Sequence, residues 1–149
     1  MNVSIRYLGF CLLAIAASLS TSACAADTAG MVKLVKGEVT ILRDGSPVPA
    51  AIGATLSAAD QITTGPESAV GILLEDGTQL SFGPNSIFHL DEFRFDPVKR
   101  DGNLFISLLK GSMRFVTGLL GKAHPDNVSI RIPTATIGIR GTDFVVSAN

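Results

Sequence analysis

Short stretches of alternating apolar and polar residues recur along the chain, and Gly, Asp, Pro and Ser separate one stretch from the next. The period of two is clearest in Val39-Thr40-Ile41, Phe93-Arg94-Phe95 and Val128-Ser129-Ile130-Arg131-Ile132. Successive side chains of an extended strand point to opposite faces, so the pattern predicts strands with one buried and one wet face. Val70 to Leu74 is more continuously apolar, as expected of a strand covered on both sides. Phe82, Phe88, Phe93, Phe95, Phe105 and Phe115 cluster in the middle third and read as the core of a packed sheet.

The breaks carry turn chemistry. Asp44-Gly45, Asp76-Gly77 and Asp101-Gly102 each adjoin a β-rich run. Asp can bond its own backbone, and Gly supplies positive φ at low cost. Leu73 to Leu80, centred on Asp76-Gly77, is the sharpest hairpin signal. Seven prolines, spread from Pro47 to Pro133, interrupt most windows long enough for a helix. Phe105 to Leu120 is ambiguous, but Gly111 and Gly118 divide it, so strands are expected there with a short helical turn near Thr117 to Leu120. Leu34 to Ile41 echoes Leu108 to Phe115: each reads as strand, Lys-Gly bend, alternating strand. Two copies do not make a solenoid, but they predict two similarly shaped β corners. The expected fold is all-β, an antiparallel β-sandwich or β-roll of many short strands.

The N-terminus follows another logic. Met1 to Arg6 is a short, positively charged lead-in, Leu8 to Leu19 is an apolar run, and Ser20 to Ala23 are small. That order predicts a signal peptide over 1–25 and a β domain over 30–149. The apolar run falls short of the ~20 residues a membrane-spanning helix needs, so no membrane span is expected in the mature form. Ala23-Cys24-Ala25 fits ordinary cleavage, with the mature chain starting at Ala26. Ser22-Ala23-Cys24 offers the alternative of a lipoprotein signal, with Cys24 carrying a lipid anchor, although Thr21 stands where Leu is usual. Cys11 falls inside the leader, so the remaining domain has no cysteine for a disulfide, zinc ligation or a thiol nucleophile.

Candidate chemistry is sparse. Charged residues make up 17% of the chain, and the net charge is -1, with no basic stripe of the kind nucleic-acid binding needs. His89, Asp91 and Glu92 form the most metal-like cluster, but it lacks His-Glu-x-x-His or calcium-loop spacing and reads as solvated edge residues. There is no Gly-x-Ser-x-Gly elbow, and His89 and His124 are the only imidazole bases. Glu75 and Asp76 are adjacent in a turn where solvent is expected to keep both ionised, a poor arrangement for an acid and base pair. No catalytic residue, metal or cofactor is expected. Arg140-Gly141-Thr142 stands out: Arg140 offers a planar five-donor fork for an anion or partner, while Gly141 and Thr142 also suit a tight structural bend.

Taken in order, Lys36-Gly37-Glu38-Val39, Gly53 to Leu56, Asp60-Gln61-Ile62-Thr63-Thr64-Gly65, Ser68 to Thr78 and the closing block Ile132 to Val146 resemble the FecR domain over about Val32 to Val146. The resemblance implies a periplasmic β domain. The family's best-known members are inner-membrane iron-dicitrate sensors that relay a signal from an outer-membrane transporter to a sigma factor. Only Met1 to Tyr7 precede the apolar run, so the chain looks like a stand-alone exported version of the domain, and the relay is not carried over. Relatives usually continue past the Arg-Gly-Thr block with another hairpin, whereas this sequence ends at Asn149. The expectation is a non-enzymatic binding or scaffolding domain of the cell envelope, with an envelope protein as partner and a link to signalling. It would lie in the periplasm, or on the outer membrane if Cys24 is lipidated. The alternative is a homo-oligomer that self-associates through an exposed β edge beside Ile137 to Val146. Small-ligand sensing and catalysis rank behind both.

Overall fold

The computed structural model describes residues 27–149. The leader expected over 1–25, and Cys24 with it, lies outside the described residues. Twelve strands form one curled, half-barrel sheet: β1 (Thr28–Lys36), β2 (Val39–Arg43), β3 (Ser46–Pro49), β4 (Thr55–Ser57), β5 (Gln61–Thr64), β6 (Ala69–Leu74), β7 (Gln79–Phe82), β8 (Ile87–Asp96), β9 (Asp101–Val116), β10 (Val128–Ile132), β11 (Ala135–Gly138) and β12 (Asp143–Ala148). A short helix, α1 (Leu119–Ala123), and a 3₁₀ turn (Pro125–Asn127) follow β9. The all-β expectation holds. The ambiguous stretch is one long strand, and its helical turn falls slightly later than expected.

The architecture reduces to four long strands, each bent in the middle. β1 runs into β2 through Gly37, β5 into β6 through Gly65 to Ser68, β7 into β8 through Gly83 to Ser86, and β9 turns at Gly111. On one side of the bend β2, β5, β8 and Asp101–Lys110 of β9 pair in order. On the other, β1, β6, β7 and Gly111–Val116 of β9 do the same. The sheet is thus folded along a line, and its two leaves face each other across the core. β3, β10 and β11 extend the first leaf; β4 and β12 extend the second. β10 runs parallel to β9; the other pairs are antiparallel.

The fold line is held by hydroxyl groups. Ser68 Oγ accepts the Glu38 N–H at 2.9 Å and donates to the Pro66 carbonyl at 3.1 Å. Ser86 Oγ accepts the Ser112 N–H at 3.2 Å and donates to the Gly83 carbonyl at 2.9 Å. Thr64 joins the two corners: its hydroxyl accepts the Ser86 N–H at 2.9 Å and donates to the Gly83 carbonyl at 2.7 Å. Bending a sheet breaks its ladder, and buried amides left bare would be costly. The serines supply the missing partners. Gly37 (φ +69°) and Gly111 (φ +92°) adopt the left-handed conformation opposite these serines, and a Cβ at either would strike the facing Ser Oγ. The two echoing segments are therefore the two similarly shaped corners that the sequence predicted. Between them lies a second repeat, Gly65-Pro66-Glu67-Ser68 and Gly83-Pro84-Asn85-Ser86, with Glu67 and Asn85 both at positive φ.

The core fills the space between the leaves with Ile41, Leu56, Ile62, Leu74, Leu80, Phe82, Phe88, Leu90, Leu104, Ile106, Leu108 and Phe115, all nearly inaccessible. Phe82 and Phe88 stack across the corner, with ring centroids 3.5 Å apart. Not every aromatic is core: Phe105 lies half-buried on an outer face beneath Arg131, whose guanidinium carbon is 4.8 Å from the ring centre.

Three sequence expectations need correction. Val70 to Leu74 is not covered on both sides: Val70, Ile72 and Leu74 are buried, while Gly71 and Leu73 face an open outer surface. Asp76 is not a solvated turn residue but 1% exposed. Its carboxylate accepts the Thr78 N–H at 3.0 Å, the Thr78 hydroxyl at 2.7 Å and the Leu120 N–H at 3.3 Å. Asp101-Gly102 is not the turn itself; the loop is Pro97 to Arg100, and Gly102 lies in β9, where a side chain would strike the Arg94 carbonyl. The Asp44-Gly45 and Asp76-Gly77 hairpins form as expected.

Candidate functional site

The Arg140-Gly141-Thr142 block is a crossover. β11 belongs to the edge of the first leaf and β12 to the edge of the second, so Ile139 to Thr142 carries the chain between them. Ile139 is buried and anchors the passage; the three motif residues are exposed. Thr117, just after β9, pins the crossover from below. Its hydroxyl donates to the Gly141 carbonyl at 2.8 Å, and its N–H donates to the Thr142 carbonyl at 2.9 Å.

The carboxylate nearest to Arg140 in sequence, Asp143, is taken. Asp143 binds Arg114, through Arg114 Nε at 2.9 Å and a second nitrogen at 2.6 Å. This pairing joins β12 to β9 and holds the Asp143 carboxyl below its ordinary value. Arg140 forms no ion pair or side-chain hydrogen bond among the described residues. Nor does Gly141 make a strained bend: its φ lies outside the left-handed region, and a Cβ there would meet only Phe144 Cδ1 at 3.9 Å.

Beside the crossover lies a cleft of about 500 Å³, lined by Thr117, Gly121, Lys122, Pro125, Asp126, Ile139, Arg140, Gly141 and Thr142. α1 forms one wall. Asp76 fixes this helix to the β6–β7 turn: the Leu119 N–H donates to the Asp76 carbonyl at 2.8 Å, and the Gly118 N–H to Thr78 Oγ1 at 3.1 Å. Lys122 was missed from the sequence because α1 is a single turn whose docking depends on Asp76, 46 positions earlier. A larger cleft of about 670 Å³ adjoins the β8–β9 loop, with Asp27, Glu75, Asp96 and Asp101 among its walls. Asp96 there closes the loop by accepting the Val98 and Lys99 N–H groups, which lower its carboxyl below the ordinary value.

A family profile described as FecR protein matches residues 60–149, more than half of the chain. The chain belongs to the FecR protein family. No curated protein and no solved structure matches. The matched stretch of the FecR domain starts at Asp60, just before β5, and includes both Gly-Pro-x-Ser corners, Gly111 and the crossover. β1 to β4 precede it but complete the same sheet.

The remaining candidates resolve into structural pairs. His89 sits on central strand β8, on its solvent face, rather than at an edge. Its Nδ1 lies 2.9 Å from Asp91 Oδ1, and Asp91 Oδ2 accepts the Ser107 hydroxyl at 2.6 Å. The carboxylate stands between hydroxyl and imidazole, so base and nucleophile do not touch, as nucleophilic catalysis requires. Glu92 is bonded to Asn103 at 3.4 Å, and His124 faces Asp101 at 4.0 Å in the open. No group of three or more His, Cys, Asp or Glu side chains is placed to hold a metal ion among the described residues. No helix among them is long and apolar enough to cross a membrane.

Proposed function

We propose that this FecR domain is a non-enzymatic protein-binding domain of the bacterial envelope, and that its contact surface is the closing block from Ile139 to Ala148. Export by the leader at 1–25 delivers it to the periplasm; lipidation of Cys24 would place it on a membrane surface. The observation that carries the reading is Arg140: an exposed guanidinium on a pinned crossover, unpaired among the described residues, while Arg114 on β9 is paired with Asp143. Arginine is enriched at protein interfaces because its fork forms directional bonds and its plane stacks.

The test is a photoreactive residue introduced at Val145 or at exposed Ser147 on β12 in the producing cell, with exposed Ser46 on β3 as the control position. A single envelope protein captured from both test positions, and not from Ser46, is expected. Adducts as scattered as those from Ser46 would remove the reading.

A second reading, self-association, is favoured by the sheet edges. β3 carries Pro47 and Pro49, β4 has three residues and β11 four. Prolines and short length are common ways of blunting an edge. β12 has six residues, no proline, an exposed Val145 and no partner on its outer side among the described residues. Such an edge can accept a strand from a second copy.

A further inference from the structure

We infer that the cleft beside Arg140 receives a side-chain carboxylate from an acidic segment of a protein partner. This rests on reading Ile139 to Ala148 as the contact surface and names the chemistry recognised there. Two cations from separate elements line the cleft, Lys122 at the end of α1 and Arg140 on the crossover, against one carboxylate, Asp126. The lining therefore carries a net charge of about +1, which suits one carboxylate better than a doubly charged phosphate. Arginine's fork matches a carboxylate in a bidentate arrangement, and lysine adds a point charge.

The backbone points the same way. The N–H groups of Arg140, Gly141 and Thr142 donate to no acceptor among the described residues. Two bonds from Thr117 hold this segment from beneath, so its backbone is fixed before anything binds. Neither φ nor packing calls for glycine at Gly141, but the bare position leaves the approach to those donors open.

The experiment follows backbone amide resonances of the protein purified from its producing cell. The probes are an end-blocked triglutamate peptide, an end-blocked triglutamine peptide and inorganic phosphate. Triglutamate is expected to shift the Arg140 to Thr142 amides saturably, while triglutamine leaves them unmoved. Arg140→Gln and Lys122→Gln, both at exposed positions, are each expected to weaken triglutamate binding about threefold to fivefold, as for removal of one exposed ion pair. Asp126→Asn should tighten it. An equal response to triglutamine, tighter binding of phosphate than of triglutamate, or unchanged affinity in both glutamine variants would overturn the inference. Crosslinking from position 145 in cells separates this inference from the reading beneath it. Loss of the captured partner on adding Arg140→Gln supports the carboxylate contact. Undiminished capture overturns that contact and leaves the surface standing, whereas no capture from the unaltered protein removes both.

Discussion

Ser86 Oγ accepts the Ser112 N–H at 3.2 Å at the point where β9 turns from one leaf to the other. Ser68 does the same for Glu38 at the opposite end of the fold line. Each hydroxyl replaces a ladder bond that bending removes, and each is buried. The crossover that carries Arg140 depends on this geometry, because β11 and β12 reach its two ends from different leaves.

Removing either hydroxyl should leave a partly buried amide unpaired. Ser86→Ala is expected to lower stability by about 1–3 kcal/mol, as measured by thermal or urea unfolding. Gly111→Ala should cost at least as much, since it forces an unfavourable φ and drives a methyl group into Ser86. Combining Gly111→Ala with Ser86→Gly should not restore the loss, because the added Cβ would still lie 2.6 Å from the backbone Cα of residue 86. If Ser86→Ala unfolds like the unaltered protein, the hydroxyl line is not what holds the bend.

The buried charge between β4 and β5 offers a separate test. Asp60 is 1% exposed and receives Arg43 Nε at 2.9 Å, a second Arg43 nitrogen at 2.7 Å and the Ser57 N–H at 2.9 Å. The hydrogen bond to Asp60 raises the Arg43 pKa above its ordinary value against the opposing effect of burial. A raised basic group contributes stability below its unfolded value and loses it only as pH passes the folded value, so Arg43 adds no pH dependence near neutrality. Arg43→Met would strand the carboxylate with one amide partner. Breaking a fully buried pair costs about 3–5 kcal/mol; with the Arg43 side chain 31% exposed, about 2 kcal/mol is expected. Arg43→Lys should restore only part of it, because an ammonium cannot reproduce the two-pronged contact.

The sequence made the strands, two hairpins and two corners legible because each rests on local chemistry: a period of two, Asp-Gly pairs, and Lys-Gly bends flanked by alternation. It did not reveal that Ser68 and Ser86 serve strands 30 and 26 positions away, since a serine in a Gly-Pro-x-Ser turn looks like any turn residue. Asp76 was misread for the same reason. Its burial is created by α1, which docks from 44 positions downstream through the Leu120 N–H. The Arg-Gly-Thr motif was visible as a motif, but its role as a passage between leaves was not. The Lys122 wall of its cleft arises only when that helix folds back.

Acid should loosen β12 selectively. Its hydrogen bonds to Arg114 hold Asp143 below the ordinary aspartate value of 3.8, so the interaction is complete above 3.8 and is lost as pH falls through the lower folded value. Both side chains are well exposed, so the effect is local and weakens with added salt. Amide resonances of Asp143 to Ala148 are expected to move together in that acid window, and Asp143→Asn should abolish the movement while leaving the core resonances in place. A transition of equal size in the Asn variant would assign the change to another group.

The β12 edge decides between the two functional readings. Val145 is 67% exposed on the outer face of the second leaf, opposite Arg114 in register. Val145→Lys places a charge on this face without touching the core, a device natural edge strands use against pairing. It should change stability by no more than about 0.5 kcal/mol. If copies associate through β12, sedimentation should show the unaltered protein moving from monomer to dimer as concentration rises, and the Lys variant staying monomeric over the same range. If β12 serves a different protein, the unaltered chain should remain monomeric throughout, and Val145→Lys should instead reduce partner capture from position 147. Dimers that persist in the Lys variant would place self-association elsewhere on the surface.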